Sequence, residues 1–267
     1  LGEKLLWPPI SPRKTRRYNN SVRILFEKTV WDVFDAVNTG NAKLGITPIE
    51  NSISGTVGLT LDALMKFRLN IIDELVLPIS HNLAGFGKAM DIKKIYANIN
   101  AYEQCEYFIR KNFPKAEVIE TSSNGQSAKL LMENNTKTTA AIVPEIAVKI
   151  YSLKVLKSGI QDNKDNVTRF IVISKGHAEK TGNDRTSIVI CPHSDRSGLL
   201  YELLGEFAKR KINLTKIESR PSKSKLGNYV FYIDLQGHKS EKPIREAFTV
   251  IKRSFFLKIL GSYPRKY

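Results

Sequence analysis

Cysteine is scarce in this sequence: the chain has two, Cys105 and Cys191, and they lie far apart. That spacing indicates neither a disulfide framework nor a metal site, and the four histidines also lack the spacing of metal ligands. No apolar run approaches the roughly 18 residues that cross a membrane, and no secretory signal is recognisable. We therefore predict a cytoplasmic protein with no metal and no membrane-spanning segment.

Acidic residues are few relative to basic ones, with 26 Asp and Glu against 42 Lys and Arg and a formal net charge of +16. Such an excess would suit a nucleic-acid binder, whose binding would weaken steeply with salt. The basic residues, however, are spread along the chain, and neither zinc-finger spacing nor an RNA-binding aromatic motif occurs. An anionic small-molecule substrate accounts for the charge about as well, and we expect no nucleic-acid partner.

The 267 residues are enough for two globular cores, and the 42% hydrophobic content is ordinary for such a chain. Residues 1–21 are rich in proline and basic side chains and predict no regular element. From Val22 to Ser174, strands and helices alternate, which predicts an α/β domain with mostly parallel strands. Beyond a polar linker at residues 175–185, the order βαββαβ predicts a ferredoxin-like fold. Its elements are expected at 187–191, 199–211, 214–219, 229–235, 242–254 and 255–260.

Polar side chains gather where the predicted strands meet loops. Glu50-Asn51-Ser52 follows one strand, Ser122-Ser123 follows another, and Thr168-Arg169 ends a turn-prone run just before an apolar strand. Because open α/β sheets bind ligands beyond the carboxyl ends of their strands, we expect these groups to share a site. Each also has a purely structural interpretation, as a turn, a helix cap or a strand start.

Five motifs in sequence order carry a family resemblance: Pro48–Ser52, Asn166–Phe170, Ser197–Leu200, Glu218–Pro221 and Gly227–Asp234. Together they resemble prephenate dehydratase with a C-terminal ACT regulatory domain, over roughly residues 22–267. The resemblance implies a two-lobed, periplasmic-binding-protein-like α/β catalytic domain at residues 1–176. Its lobes would be about 22–77 plus 168–176, and 78–160. The ferredoxin-like βαββαβ ACT domain would occupy residues 185–267.

The resemblance also implies an activity. Members of that family convert prephenate to phenylpyruvate in L-phenylalanine biosynthesis, with loss of water and carbon dioxide and without cofactor or metal. Thr168 would be the catalytic residue, either as an acid or, as we favour, as hydrogen-bond donor to the departing hydroxyl, and Arg169 would bind a substrate carboxylate. Glu50 would polarise a donor or orient Asn51. The remaining expected substrate contacts are Asn51, Ser52, Gln104, Ser123 and Phe170.

The C-terminal motifs resemble the phenylalanine sensor of the family. Ser197, Gly198, Leu199 and Leu200, with Glu218, Ser219, Arg220 and Pro221, would close over L-phenylalanine between two ACT domains. This implies a homodimer or homotetramer with feedback regulation, although a domain kept only for dimerisation is the simpler alternative. We expect no chorismate mutase segment ahead of residue 22.

Three stretches depart from the family pattern. Ala97–Asn100 and Ser123-Asn124 replace two substrate-loop motifs, and Leu5–Pro9 stands where a Gly-Thr-Phe-type loop is expected after Leu1–Lys4. A local shift of reading frame would explain the last departure. The alternative function is therefore a non-catalytic, amino-acid-binding regulatory protein on the same scaffold.

Overall fold

The computed structural model describes Leu25 and residues 27–194, 196–222 and 229–267. Three features discussed above therefore lie outside the described residues, namely the unusual N-terminal stretch 1–21, most of the predicted strand at 22–26, and the start of the last motif at Gly227-Asn228.

From residue 27 to residue 78 the described elements follow one another closely. Up to that point the elements are α1 (Val30–Thr39), β1 (Gly45–Asn51), β2 (Gly55–Thr56), α2 (Gly58–Lys66) and β3 (Asn70–Pro78). Next come β4 (His81–Gly85), β5 (Lys94–Asn98), α3 (Ile99–Glu103), α4 (Glu106–Asn112), β6 (Glu117–Thr121), α5 (Asn124–Asn134), β7 (Thr139–Pro144), α6 (Glu145–Ile150) and β8 (Val155–Lys157). The last group is β9 (Val167–Ser174), β10 (Asp184–Pro192), α7 (Leu199–Ala208), β11 (Leu214–Pro221), β12 (Tyr229–Gln236), α8 (Lys242–Ile251) and β13 (Phe255–Pro264).

Helix α1 shows how local sequence sets these boundaries. Thr29 and Asp32 form a reciprocal capping box at its start, and Gly40 ends it with a φ of 89°, in the left-handed region that glycine tolerates. Threonine and glycine are residue types that favour these two positions.

The chain divides into two compact units. Residues 29–77 and 168–267 belong to the larger unit, and residues 78–167 belong to the smaller one. The chain passes between the units within β3 and again within β9, where Thr168 is the first residue of the larger unit. The ferredoxin-like half therefore groups with residues 29–77.

A five-stranded sheet in the order β6-β5-β7-β4-β8 forms the centre of the smaller unit. Successive residues of a strand point to opposite faces of the sheet, so they pack into two different hydrophobic cores. Ile95 and Ile142 pack with Cys105 and Ile109 of the α3–α4 region. The other face packs against α5 and α6 through Tyr96, Ala141, Val143, Ala128, Leu131 and Ala147.

The larger unit contains two four-stranded sheets, and the first has the order β2-β1-β9-β3. Strand β1 pairs antiparallel with both β2 and β9. In the smaller unit β4 is antiparallel to β7 and β8, whereas β5 is parallel to β6 and β7. The expectation of mostly parallel strands was therefore wrong for the described strand pairs. Hairpins such as β1–β2 join neighbours directly, and a direct turn can only pair strands antiparallel.

The second sheet, in the order β11-β12-β10-β13, carries α7 and α8 on one face. Its core includes Ile188, Leu203, Phe207, Ile233 and Phe248. The order β10-α7-β11-β12-α8-β13 is the predicted βαββαβ arrangement.

Side chains of the second sheet also reach residues of the 29–77 segment. Lys258 donates to the carbonyl oxygens of Leu64, Met65 and Phe67 at 2.8–2.9 Å, which places a cation at the carboxyl end of α2. The Tyr232 hydroxyl donates to the carbonyl oxygen of Leu61 at 3.1 Å. These bonds join the ferredoxin-like half to the first half of the larger unit.

A close approach of two strands gives a stability prediction. A Cβ at Gly261 of β13 would lie 2.2 Å from the Ile71 carbonyl oxygen of β3, so Gly261→Ala must separate the two backbones. Overpacking of this kind costs about 1–3 kcal/mol, and we expect the urea midpoint of unfolding to fall. Gly205→Ala is the matched control, because a Cβ there meets no atom within 4 Å and replaces glycine in a helix. Equal midpoints for the two variants would contradict the prediction.

Candidate active site

Asn51 and Thr168 form a directly opposed pair on the neighbouring strands β1 and β9. The Asn51 Nδ2 atom donates to Thr168 Oγ1 at 2.9 Å. Asn51 Oδ1 accepts from the backbone amides of Ile53 and Ser54, both at 2.9 Å, in the turn between β1 and β2. Only a carbonyl oxygen can accept those two bonds, so the amide orientation is fixed and an NH₂ group faces Thr168.

Thr168 is 4% exposed and lies at the start of β9. Because its oxygen accepts from Asn51, the hydrogen of the hydroxyl is directed away from Asn51. The pair therefore presents Thr168 as a hydrogen-bond donor to a group that approaches it.

Arg169 lies in a buried cluster of charges in the larger unit. Its Nε donates to Glu74 Oε2 at 2.8 Å, and its Nη1 donates to Asp234 Oδ2 at 2.6 Å. Its Nη2 donates to the Tyr263 hydroxyl at 2.8 Å. Arg185 adds a second guanidinium, with Nη1 3.2 Å from Glu74 Oε2. Two arginines and two carboxylates thus neutralise one another away from water.

Burial and the neighbouring charges change the pKa values of Arg169 and Tyr263. Burial alone would lower the pKa of the Arg169 guanidinium, but Tyr263, Asp234 and Glu74 outweigh it and hold the pKa above its usual range. Burial raises the pKa of Tyr263, so this hydroxyl keeps its hydrogen. All three nitrogen atoms of Arg169 have protein partners. Arg169 therefore faces the interior of the protein, where these three bonds are to protein groups.

Glu50 is the cross-strand neighbour of Arg169 and lies between two cations. Its Oε2 is 3.5 Å from Arg169 Nη1, and its Oε1 is 3.2 Å from Lys216 Nζ. Lys216 also donates to Thr56 Oγ1 at 2.8 Å, and Thr56 donates to Glu218. The Glu50 carboxylate is therefore held by charge on both sides.

The described residues contain no group of three or more His, Cys, Asp or Glu side chains that could hold a metal ion. Within the same part of the chain, no helix has both the length and the apolar character needed to cross a bilayer.

Comparison with known proteins identifies the family. Residues 11–178 match the family model of prephenate dehydratase, and residues 187–252 match that of the ACT domain. The chain belongs to the prephenate dehydratase family. The resemblance inferred from the five motifs is confirmed, as is the α/β fold with an ACT domain.

Individual relatives agree. The prephenate dehydratase of Methanocaldococcus jannaschii is 38% identical, over 95% of this chain and 94% of its own length. A bifunctional chorismate mutase/prephenate dehydratase of Aquifex aeolicus is 41% identical over 89% of this chain, which spans 65% of that relative. The structure of the Arthrobacter aurescens prephenate dehydratase in complex with L-Phe aligns with a TM-score of 0.82 at 38% identity, over 90% of this chain and 81% of that one.

The other expected substrate residues of this prephenate dehydratase-family chain have varied surroundings. Ser52 is exposed in the turn that Asn51 closes. Phe170 is 1% exposed and pairs with Pro48 across the sheet, which gives its ring a packing role. Ser123 caps α5 by accepting from the Gln126 amide at 3.1 Å, as the structural interpretation anticipated.

Gln104 belongs to a small polar cluster in the smaller unit. Its Oε1 accepts from Asn166 Nδ2 at 2.7 Å and lies 2.9 Å from His81 Nε2. Burial lowers the pKa of His81, and the bond to Gln104 opposes this only in part. A neutral ring that donates from Nε2 fits the arrangement, because the same oxygen already accepts from Asn166.

The expected effector residues lie on two elements of the ACT domain. Gly198 precedes α7 with a φ of 79°, Leu199 enters the core, and Ser197 and Leu200 are exposed. Glu218, Ser219, Arg220 and Pro221 lie on β11, at the edge of its sheet. Their side chains alternate between partly buried and exposed, with Arg220 3.8 Å from Asp62.

Sequence reasoning missed Glu74 and Lys216, and it gave Asp234 no role beyond its place at the end of the fifth motif. A signal did exist for two of them. Asp234 stands between Ile233 and Leu235, and Glu74 follows Ile71-Ile72-Asp73 in another apolar strand. An acidic residue inside a buried strand predicts a buried cationic partner, because an isolated charge there is too costly.

The buried cluster gives a second prediction. Glu74→Gln removes the carboxylate shared by Arg169 and Arg185 and leaves excess positive charge in the interior. Breaking a buried pair in this way costs about 3–5 kcal/mol, and we expect the free energy of unfolding in urea to fall accordingly. Glu202→Gln, which removes the exposed partner of Arg196, is the control and should change little. An unchanged free energy for Glu74→Gln would show that the cluster is not stabilising.

Proposed function

We propose that this chain catalyses the conversion of prephenate to phenylpyruvate, with loss of water and carbon dioxide, as a carbon–oxygen lyase. The observation that carries the proposal is the Asn51–Thr168 pair, in which the amide donates and leaves the threonine hydroxyl as a donor. Membership of the prephenate dehydratase family supports the choice of substrate.

The chemistry requires little more than a well-placed donor. The carbon–carbon bond to the departing carboxylate breaks, and its electron pair enters the ring as the new double bond. The ring carbon–oxygen bond breaks at the other end, and the departing hydroxyl takes up a proton that solvent supplies and leaves as water. Thr168 donates a hydrogen bond to the oxygen on which negative charge develops. One preorganised donor of this kind lowers the barrier by roughly 3–4 kcal/mol.

Arg169 contributes differently from our first expectation. Its guanidinium binds Glu74 and Asp234, so in this proposal it anchors the strand that carries Thr168 and leaves the carboxylates of prephenate to other groups. The remaining expected substrate contacts stay predictions, namely Glu50, Asn51, Ser52, Gln104, Ser123 and Phe170. The Gln104 side-chain amide and the Ser123 hydroxyl each carry a donor suited to an anion.

Thr168→Ala tests the catalytic assignment. Loss of the donor should lower kcat for phenylpyruvate formation by about 10²–10³-fold, with Thr168→Ser retaining most of the activity because it keeps the hydroxyl. Phenylpyruvate is followed by its absorbance in alkali. An alanine variant as fast as the wild type would refute the role of Thr168.

Asn51→Asp sharpens the same test, because it keeps an oxygen for the Ile53 and Ser54 amides and replaces the NH₂ group that faces Thr168. The threonine must then donate its hydrogen to the new carboxylate. We expect a loss of kcat comparable with that of Thr168→Ala. Full activity would mean that the direction of this hydrogen bond does not matter.

Regulation is the second part of the proposal: L-phenylalanine binds the ACT domain and inhibits. The presence of an ACT match at residues 187–252 supports it, together with the L-Phe complex of the Arthrobacter aurescens relative. The dimer or tetramer formed through ACT domains stays a prediction, as does a cytoplasmic location.

Gly198 provides a test of effector binding. A Cβ at a φ of 79° is strained, so Gly198→Ala should distort the start of α7 beside Leu199 and Leu200. We expect at least a roughly tenfold weaker affinity for L-phenylalanine by calorimetry, or about 1.4 kcal/mol. Gly205→Ala, in the same helix with open space around it, should bind normally. If neither the wild type nor the control binds L-phenylalanine, the regulatory proposal fails while the catalytic one stands.

The non-catalytic alternative rested on residues 1–21, which lie outside the described residues. The family match begins at residue 11 and continues through the segments that carry Asn51 and Thr168. No described residue and no comparison favours the alternative.

A further inference from the structure

Lys216 connects the ACT domain to the hairpin that carries Asn51. It lies on β11, two residues before Glu218, and its side chain is 11% exposed. Its Nζ donates to Thr56 Oγ1 at 2.8 Å and is 3.2 Å from Glu50 Oε1. A largely buried ammonium with a carboxylate and a hydroxyl partner is held firmly in place.

The two partners of Lys216 on the hairpin face one another. Glu50 and Thr56 are directly opposed on β1 and β2, and the next pair toward the turn is Asn51 with Gly55. The turn itself is closed by the bonds from the Ile53 and Ser54 amides to Asn51 Oδ1. Lys216 therefore binds one residue of each strand of the hairpin, and its partner on β1 directly precedes Asn51.

Glu50 also has a charged partner on β9, the strand on its other side. Glu50 is opposed to Arg169 on β9, just as Asn51 is opposed to Thr168. Arg169 is bound in turn by Asp234 of β12. Lys216 and Asp234 of the ACT domain thus bind Glu50 and Arg169, the cross-strand pair next to Asn51 and Thr168.

We propose that Lys216 is a positioning residue for the reaction: through Glu50 and Thr56 it holds the β1–β2 hairpin so that Asn51 keeps its hydrogen bond to Thr168. The contact also ties the strand of the expected effector residues to the hairpin of the active site. The inference rests on the proposed function for its kinetic consequence, but its structural consequence can be measured without turnover.

The kinetic test uses Lys216→Met, which keeps an unbranched side chain one atom shorter and removes its charge. We expect kcat to fall by about 10- to 100-fold, because small displacements of catalytic groups have effects of this size, with KM little changed. Lys216→Arg should restore much of the rate. Lys252→Met, at an exposed site of the same domain, is the matched control and should behave as the wild type.

A double-mutant cycle with Glu50→Gln asks whether Lys216 acts through Glu50. If it does, adding Lys216→Met to Glu50→Gln lowers kcat by no more than about twofold. Independent, multiplying losses would overturn the proposal, as would an unchanged kcat in folded Lys216→Met. Should Lys216→Met fail to fold, Thr56→Val removes the other partner and decides in the same way.

Amide hydrogen exchange separates this inference from the proposed function. The Ile53 and Ser54 amides bind Asn51 Oδ1, so a loosened hairpin exposes them. We expect faster exchange at both amides in Lys216→Met than in the wild type or in Lys252→Met. Unchanged exchange would overturn the positioning role, whereas faster exchange in a chain that forms no phenylpyruvate would leave that role intact and refute only the proposed function.

Discussion

The burial of two guanidinium groups is the constraint on which the larger unit depends. An ion taken out of water loses several kcal/mol of solvation, which is recovered only where opposite charges and hydrogen bonds surround it. Arg169 and Arg185 are 3% and 1% exposed, and the carboxylates of Glu74 and Asp234 lie between them. These groups come from β9, β10, β3 and β12. The charges can therefore be neutralised only when both sheets of the unit take their native places.

The charge cluster also constrains Thr168, because Thr168 is the chain neighbour of Arg169 in β9. Side chains alternate along a strand, so Arg169 can enter the charge cluster while Thr168 points to the other side of β9. Fixing the guanidinium also fixes the backbone that carries the hydroxyl. Asn51 is fixed separately, by the turn amides of Ile53 and Ser54. Both partners of the Asn51–Thr168 bond are thus held by contacts that do not involve substrate.

Local patterns were enough to predict much of the fold, including the βαββαβ order of the ACT domain. Strand direction was mispredicted because alternation of helices and strands does not say which strands pair. The role of Arg169 could not be predicted, because Glu74 and Asp234 lie 95 and 65 residues away along the chain. The Asn166–Phe170 motif points to Arg169 but contains neither of the carboxylates that bind it.

The direction of the Asn51–Thr168 bond decides between two chemical roles for the threonine. A threonine that acts as an acid or nucleophile needs a base to exchange its proton, and the amide nitrogen that faces Thr168 cannot serve as one. With its oxygen accepting from Asn51, the neutral hydroxyl offers its hydrogen to an incoming group. In the proposed reaction, loss of carbon dioxide supplies the electrons and aromatic stabilisation drives the step, so a neutral donor at the departing oxygen is sufficient. What such a site needs is a fixed orientation of the hydroxyl rather than a perturbed acidity, and that is what the hairpin and the buried charges together provide.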